Sequence, residues 1–137
     1  MADMLKYGNA YSHLSINGLD VTESDLGETD PPITIEDIEP RGTLKRGTGG
    51  GAVRIDNVTR AKRLTVNLLP GGTLVRQLIA IEKTGVDFEA TWSQQDTNET
   101  IHCVEGIITN RGPLGRAGRT TVTDEQFIFE FNDSEET

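Results

Sequence analysis

The sequence predicts a mainly β protein: an antiparallel β-sandwich or partial barrel with one packed α-helix. Short segments of alternating apolar and polar residues recur along the chain, and turns rich in glycine separate them; 15 of the 137 residues are glycine. Only residues 73–84 have apolar side chains at helical spacing. The length fits one domain, which we place over residues 1–137.

The first two strands form a predicted hairpin. Residues 11–16 alternate, and Asn17 and Gly18 follow them. Asn-Gly is the dipeptide most typical of a two-residue turn between antiparallel strands, so residues 19–21 begin the returning strand.

A second, longer hairpin is predicted in the middle of the chain. Residues 33–36 alternate, and the phase changes at Asp37, which indicates a bulge or the end of a strand. Residues 43–46 and 53–56 then predict two short strands, and the glycine-rich turn 47–51 joins them.

The predicted helix follows the clearest strand, residues 63–68, in which every second residue is leucine or valine. Thr73 is in a suitable place for the N-cap and Gly85 for the C-cap. Apolar residues cover more than half of the circumference of the helix, so we expect it to be well buried.

Three strands complete the chain. Residues 86–92 alternate, residues 100–109 are strand-like with a break at Gly106, and residues 121–131 carry three phenylalanines on one face. These phenylalanines are predicted core residues.

Three loops and the C-terminal tail are predicted to be mobile, because their polar or glycine-rich composition leaves little apolar area to bury. They are the acidic loop 22–32, the turn 47–51, the loop 110–120 and the tail 132–137.

The net charge of −9 is distributed in three blocks. Residues 1–40 hold nine acids and one base, residues 41–85 nine bases and two acids, and residues 86–137 eleven acids and three bases. The blocks either neutralise one another within one subunit or form complementary faces between copies, which would give rings or filaments. So acidic a chain excludes sequence-independent binding of nucleic acid by its whole surface.

No motif for phosphate binding, metal binding or nucleophilic catalysis is present. The glycines at 47–51 lead into a strand and not into a helix, so they do not form a P-loop. His102 and Cys103 are adjacent on a strand and face opposite sides, which excludes a shared metal or a Cys–His pair. We therefore predict neither an enzyme nor a cofactor.

Two sets of charged residues are candidates for interactions. Carboxylates two residues apart on a strand form an acidic stripe more readily than an acid–base pair; the two such pairs are Asp37 with Glu39 and Asp87 with Glu89. A short basic run has no aromatic neighbours on which nucleic-acid bases could stack, so we interpret it as an interface patch. This run contains Arg60, Lys62 and Arg63.

The order of these elements resembles the tail tube proteins of contractile-tailed bacteriophages. The segments that carry the resemblance are the opening hairpin 11–18, the long hairpin from 33–36 through 47–51 to 53–55, the strand 64–68 with the helix after Thr73, and the closing strand 121–131. The acidic loop 22–32 has no assigned place in that pattern.

The resemblance implies a β-sandwich with one helix and no catalytic residues. Six copies would form a ring, and stacked rings would form a conduit through which DNA leaves the capsid without specific binding. Long loops would bridge to the adjacent ring. The implied partners are further copies of the chain, the tail sheath, the baseplate and the tail terminator. The implied location is the virion tail, assembled in the host cytoplasm and not in a membrane.

In such a tube an acidic lumen would repel DNA phosphate. The candidates for lumen-facing acids are Glu36, Asp37, Glu39, Asp87 and Glu89, and the basic patch would meet an acidic face of the next subunit. Two alternatives stay open: another tube-like or baseplate protein, such as a secretion-system tube subunit, and a monomeric ligand-binding β-domain. The second would need exposed aromatic side chains, whereas the single tryptophan, Trp92, lies on an apolar face.

Overall fold

A computed structural model describes residues 11–56, 60–95 and 97–137. The predicted domain also includes residues 1–10, which lie outside the described residues. The elements are β1 (Ser12–Ile16), β2 (Leu19–Val21), β3 (Ile33–Asp37), β4 (Gly42–Arg46), β5 (Ala52–Asp56), β6 (Lys62–Leu68), α1 (Thr73–Thr84), β7 (Phe88–Gln94), β8 (Thr100–Arg111) and β9 (Glu125–Glu136). The predicted mainly β, antiparallel architecture with one helix is confirmed.

Seven strands form one antiparallel sheet in the order β2-β1-β7-β8-β9-β6-β3, and β4 and β5 form a separate two-stranded sheet. The β1–β2 hairpin turns at Asn17 and Gly18, whose φ angles of 49° and 83° suit the tight turn predicted from this dipeptide. The Asn17 side chain also accepts a 2.7 Å hydrogen bond from the Glu89 backbone N–H, which fixes the turn against β7.

The core lies on one face of the sheet. Phe127, Phe129 and Phe131 on β9 are almost wholly buried, as the sequence predicts. The Phe88 ring of β7 stands edge-on to the Phe129 ring, with 5.2 Å between centroids. Burial of each such ring contributes about 1.5–3 kcal/mol, so this row of phenylalanines is a large part of the stability. The buried core also includes residues of four other strands: Leu64, Val66 and Leu68 on β6, Leu14 and Ile16 on β1, Ala90 on β7 and Cys103 on β8.

The sheet curls into a partial barrel. Ile33 and Ile35 of β3 line the same cavity as Trp92 of β7, although three strands separate β3 from β7 in the sheet. Since β3 and β7 line one cavity, the sheet curves enough to bring its β3 end close to β7.

The helix begins and ends where the sequence predicts. Gly85 adopts a left-handed conformation with φ of 77°, and its N–H donates to the Glu82 carbonyl oxygen at 3.2 Å. The N-cap is Gly72 and not Thr73, which is the first helical residue. The buried face of the helix is narrower than expected. Leu74, Val75 and Leu78 are buried, whereas Ile79 and Ile81 are only partly buried.

The predicted break at Gly106 is wrong, because β8 continues through it. The pairing with β7 shifts its register between Phe88 and Ala90, and Glu105 takes a positive φ of 57°. The feature is therefore a β-bulge. Glycine is required here because a Cβ atom on Gly106 would lie 2.2 Å from a ring carbon of Phe131.

The prediction of a frayed tail after Phe131 is also wrong. Strand β9 starts later than expected, at Glu125, and extends to Glu136, paired with β8 across one register shift between Ile108 and Asn110. Beyond the strand, Thr137 and Thr100 exchange two backbone hydrogen bonds of 2.9 and 3.1 Å. The acidic side chains do not prevent this pairing, because Ser134 is buried and Glu136 has cationic partners.

The acidic loop 22–32 contains a single 3-10 turn, Glu23–Asp25, and hydrogen bonds connect it to the sheet. The Thr29 N–H and hydroxyl donate to the Asp124 carboxylate at 2.8 and 2.7 Å. The Gly27 N–H donates to the Asn67 carbonyl at 2.9 Å. The mobility of this loop in an isolated subunit stays a prediction.

Candidate assembly surfaces

The most exposed apolar side chains of the described residues include three on the β4–β5 hairpin. Leu44, Val53 and Ile55 are 63%, 60% and 52% exposed, and every residue of both strands is exposed. An isolated two-stranded hairpin is marginally stable in water, and an apolar one attracts a partner. The hairpin is therefore the first candidate for an assembly surface.

The strand register divides the hairpin into two faces. Lys45 lies opposite Val53, and Thr43 lies opposite Ile55. Side chains at directly opposite positions share a face, so one face carries two β-branched apolar residues and a lysine. The other face carries Leu44, Arg46, Ala52 and Arg54. Both faces thus combine apolar area with positive charge.

The tip of the hairpin is built from glycine. The Gly47 N–H donates to the Gly51 carbonyl at 2.8 Å, and Gly50 has a φ of 88°. Neither Gly49 nor Gly51 would bring a Cβ atom within 4 Å of a neighbour. The tip therefore needs glycine at Gly50 and is sterically open on either side of it.

Four charged side chains, which we call the root quartet, hold the base of the hairpin: Asp37, Arg41, Lys62 and Glu136. Lys62 Nζ lies 2.6 Å from Asp37 and also pairs with Glu136, while Arg41 donates to Asp37 at 2.9 Å and to Glu136 at 2.5 Å. Each cation thus bridges both carboxylates. The quartet joins the end of β3, the hairpin and the C-terminal end of β9.

The root quartet shifts the protonation equilibria of its acids. Hydrogen bonds from Lys62, and then Arg41, lower the pKa of Asp37. The Lys62 hydrogen bond likewise lowers the pKa of Glu136. Burial acts to lower the pKa of Lys62, but the two carboxylates outweigh burial and the pKa is raised. All four groups are therefore charged at neutral pH.

The five candidate lumen acids do not form one cluster. Glu36 is exposed on the outer face of β3, where Arg63 donates to it at 3.1 Å. Asp37 points to the opposite side, into the root quartet, and Glu39 lines a shallow cavity at the hairpin base. Asp87 and Glu89 are exposed at the start of β7, three strands away from β3.

The three candidate basic residues do not form one patch either. Lys62 and Arg63 extend from opposite faces of β6: Lys62 is buried with the root quartet, while Arg63 pairs with Glu36 and, at 3.4 Å, with Glu130. The carbonyl of the partly buried Arg60 accepts a hydrogen bond from Ser134. Alternation on a strand separates neighbouring charges that a linear sequence places together.

Sequence reasoning missed a second charged cluster at the other end of β9. Glu125 is buried, and its carboxylate forms ion pairs with Arg111, at 2.5 Å, and with Arg116. The Arg111 guanidinium also lies 4.8 Å above the Phe127 ring. Together these contacts close the loop 112–124. The only signal for them was a glutamate at the beginning of an apolar alternating segment.

Among the described residues, two strands of the seven-stranded sheet pair on one side only. They are β2 and β3, the ends of the strand order. A free edge presents unpaired backbone N–H and C=O groups to which another chain can add a strand. Both edges are therefore candidate contacts between subunits.

Among the described residues, no helix is long and apolar enough to cross a membrane, and no group of three or more His, Cys, Asp and Glu could hold a metal ion. Cys103 is buried, and burial raises the pKa of its thiol to about 11. It therefore stays protonated at neutral pH and is a poor nucleophile.

No family model matches the sequence, and neither does any curated protein. Solved structures, in contrast, match over almost its whole length. A chain of the sheath/tube terminator of the PVC extracellular contractile injection system superposes with a TM-score of 0.62 at 10% identity, covering 99% of both chains. A chain of the tube-terminating cap of the anti-feeding prophage gives 0.59 at 10% identity, covering 100% of this chain and 94% of that one.

A chain of the PVC sheath–tube complex in the extended state gives a TM-score of 0.56 at 10% identity, covering 96% and 91%. These neighbours are tube and cap proteins of contractile injection systems. The chain has their tube fold. The resemblance to tail tube proteins is thereby confirmed at the level of the fold. In this version of the tube fold, the exposed hairpin and the root quartet lie on the same side of the subunit as the end of β9.

Proposed function

We propose that the chain is a structural subunit of the tube of a contractile tail or injection system. The observation that carries the proposal is the match over 99% of both chains to a sheath/tube terminator chain. A basic, apolar hairpin that is exposed along its whole length supports it, because an exposed apolar surface marks a site of protein–protein contact.

In the proposed assembly six copies form a ring and rings stack into a tube. The free edges β2 and β3 of neighbouring copies pair, which removes edges that would otherwise promote uncontrolled association. The hairpin reaches the adjacent ring. Lys45 and Arg46 of the hairpin have no ion pair in the described part of the chain and, together with Arg60, supply positive charge to contacts with acidic surfaces of other copies, whereas Arg63 is already paired with Glu36 and Glu130.

The proposed lumen lies against the outer face of the sheet. Glu36 and Glu89 are exposed on that face, and Glu130, Asp133 and Glu135 of β9 lie between them in the strand order. Six copies would repeat these carboxylates around the bore. A negative wall repels DNA phosphate, so DNA passes during ejection without being retained.

Electron microscopy of the purified protein tests the proposal, together with native mass spectrometry. We expect rings or tubes of uniform bore and a mass that is a multiple of six subunits. Val53→Asp should abolish stacking because it places a charge on the apolar hairpin face. Val122→Asp is the matched control, since Val122 is 50% exposed in a different loop. A chain that stays monomeric at all concentrations and salt conditions would exclude a tube subunit.

A second candidate is the tube-terminating cap itself, since the terminator and cap chains are among the solved structures that match this chain. The two roles differ in self-association. A tube subunit stacks on itself, whereas a terminator forms one ring that stops growth at a tube end. Electron microscopy distinguishes the two roles by whether single rings or extended tubes form. The sheath and baseplate partners that the resemblance implies are proposed for both roles.

A further inference from the structure

An apolar groove lies between β3, at one end of the sheet, and the strands β7 and β8. It has a volume of about 500 Å³, and its walls include Ile33, Ile35, Trp92 and Ile101. Each of these side chains is partly exposed toward the groove. A cavity of this size is within the range that binds ligands or side chains of a partner.

The rim of the groove is acidic. Asp30 and Glu99 are exposed where the groove opens, and neither has an ion pair within the described residues. Each carboxylate is thus free for a partner cation. An apolar floor with an acidic rim fits a partner that combines apolar side chains with positive charge.

One face of the hairpin has that chemistry. Val53 and Ile55 are two positions apart on β5, about 7 Å along the strand, and both extend from the same side. Lys45 lies directly opposite Val53 on that side and has no ion pair within the described residues. Two β-branched side chains can thus enter an apolar groove while the lysine meets the rim.

We propose that the groove of one subunit receives the Val53–Ile55 face of the hairpin of a second copy, with Lys45 pairing to Asp30 or Glu99. This inference rests on the proposed tube function and assigns the surface on which the hairpin docks. The contact is heterologous, since groove and hairpin are different surfaces of one chain, so it propagates from copy to copy. The opposite hairpin face, with Leu44 and Arg54, stays outside the groove.

Cysteine cross-linking tests the contact. Two proteins are made in a Cys103→Ala background, one with Val53→Cys and the other with Glu99→Cys, and are mixed before assembly and oxidation. We expect a disulfide-linked pair of subunits. Leu44→Cys in place of Val53→Cys is the matched control on the opposite face and should cross-link at least fivefold less.

Trp92 gives a second measurement, because it is the single tryptophan of the chain and lines the groove. Quenching of its fluorescence by acrylamide should fall at least twofold when subunits assemble. Lys45→Glu and Glu99→Lys should each weaken assembly, by about twofold to fivefold for an exposed ion pair, and the double variant should regain most of the loss.

Several results would overturn the inference. Subunits that form tubes without the Val53–Glu99 cross-link and with unchanged Trp92 quenching would leave the tube function standing and refute the groove. A cross-link within one dilute double-cysteine chain would assign the groove to the chain's own hairpin. Greater Trp92 quenching in a monomer that lacks residues 1–10 would assign it to that segment. A chain that never associates refutes both proposals.

Discussion

Lys62 Nζ lies 2.6 Å from a carboxylate oxygen of Asp37, and only 5% of the lysine side chain is exposed. A buried cation of this kind is tolerated because carboxylates surround it. Its position on β6, between the end of β3 and the end of β9, makes it the central contact at the base of the hairpin.

Replacing this lysine should therefore destabilise the subunit. Lys62→Met keeps the length of the side chain but leaves Asp37 and Glu136 as two neighbouring carboxylates with Arg41 alone. We expect the free energy of unfolding to fall by about 2 kcal/mol, less than for a fully buried pair because both acids are partly exposed. Urea denaturation measures it. Arg54→Met, at the exposed Arg54–Asp56 pair, is the control and should change stability far less.

The same quartet predicts a dependence on pH. The pKa values of Asp37 and Glu136 are lowered from 3.8 and 4.5, so their contribution to stability is present above these values and is lost as pH falls through the folded-state values. We expect the urea midpoint to decrease below about pH 4.5. Glu136→Gln should flatten this decrease. Equal slopes in the unsubstituted protein and the Glu136→Gln variant would contradict the prediction.

Gly106→Ala should be strongly destabilising because its methyl group would lie 2.2 Å from the Phe131 ring. The ring must shift within a packed row of phenylalanines, at a cost of about 2–3 kcal/mol. Thermal unfolding measures the loss. Gly49→Ala, where a Cβ atom meets no neighbour within 4 Å, should unfold at the normal temperature, and a similar loss there would show that the effect is not steric.

Hydrogen exchange tests the loops. We expect residues 22–32, 47–51 and 110–120 to exchange faster in free subunits than in assembled ones. Within the subunit, Asp124→Ala removes both hydrogen bonds to Thr29 and should speed exchange in residues 27–32 but not at the hairpin tip. Equal protection before and after assembly would refute the idea that contacts between subunits order these loops.

The proposed lumen is tested by reversing its charge. Replacing Glu36, Asp87 and Glu89 together with lysine should permit tubes but slow the release of DNA from particles, and more strongly at low salt, where screening is weak. A triple lysine variant at Glu23, Glu28 and Glu82, which lie in the acidic loop and on the helix, has the same change in net charge and is the control. Normal release by the first variant, or slow release by both, would contradict an acidic lumen at these residues.

Signals within a few residues predicted most elements. Asn17-Gly18 specified the first turn, Gly85 the end of the helix, and the alternation of β6 its buried face. Each depends only on local backbone geometry, so a linear sequence contains the information. The placement of the hairpin strands was predicted in the same way, but their exposure was not, because alternation alone does not say whether a core exists to cover them.

The charged sites depend on pairs that are distant in sequence. Lys62 and Glu136 meet only because β6 pairs with β9, and the sequence around either residue gives no sign of it. The tail was predicted to fray because its acids carry no apolar pattern, although Ser134 and Glu136 are on the inner side of β9. Conversely, adjacent basic residues in the sequence suggested one basic patch, but Lys62 and Arg63 extend from opposite faces of β6.

The strand order of the sheet also determines which strand pairs form early in folding and which form late. The central pair β8–β9 joins neighbouring segments of the chain, whereas β1 must find β7, 74 to 82 residues away, before the sheet is complete. Closing a long loop is slow, because entropy is lost before contacts compensate for it. We therefore expect the middle of the sheet to form first and its margins last. In the proposed assembly, the newly synthesised subunit would then acquire its pairing edges only at the end of folding, which would limit premature association.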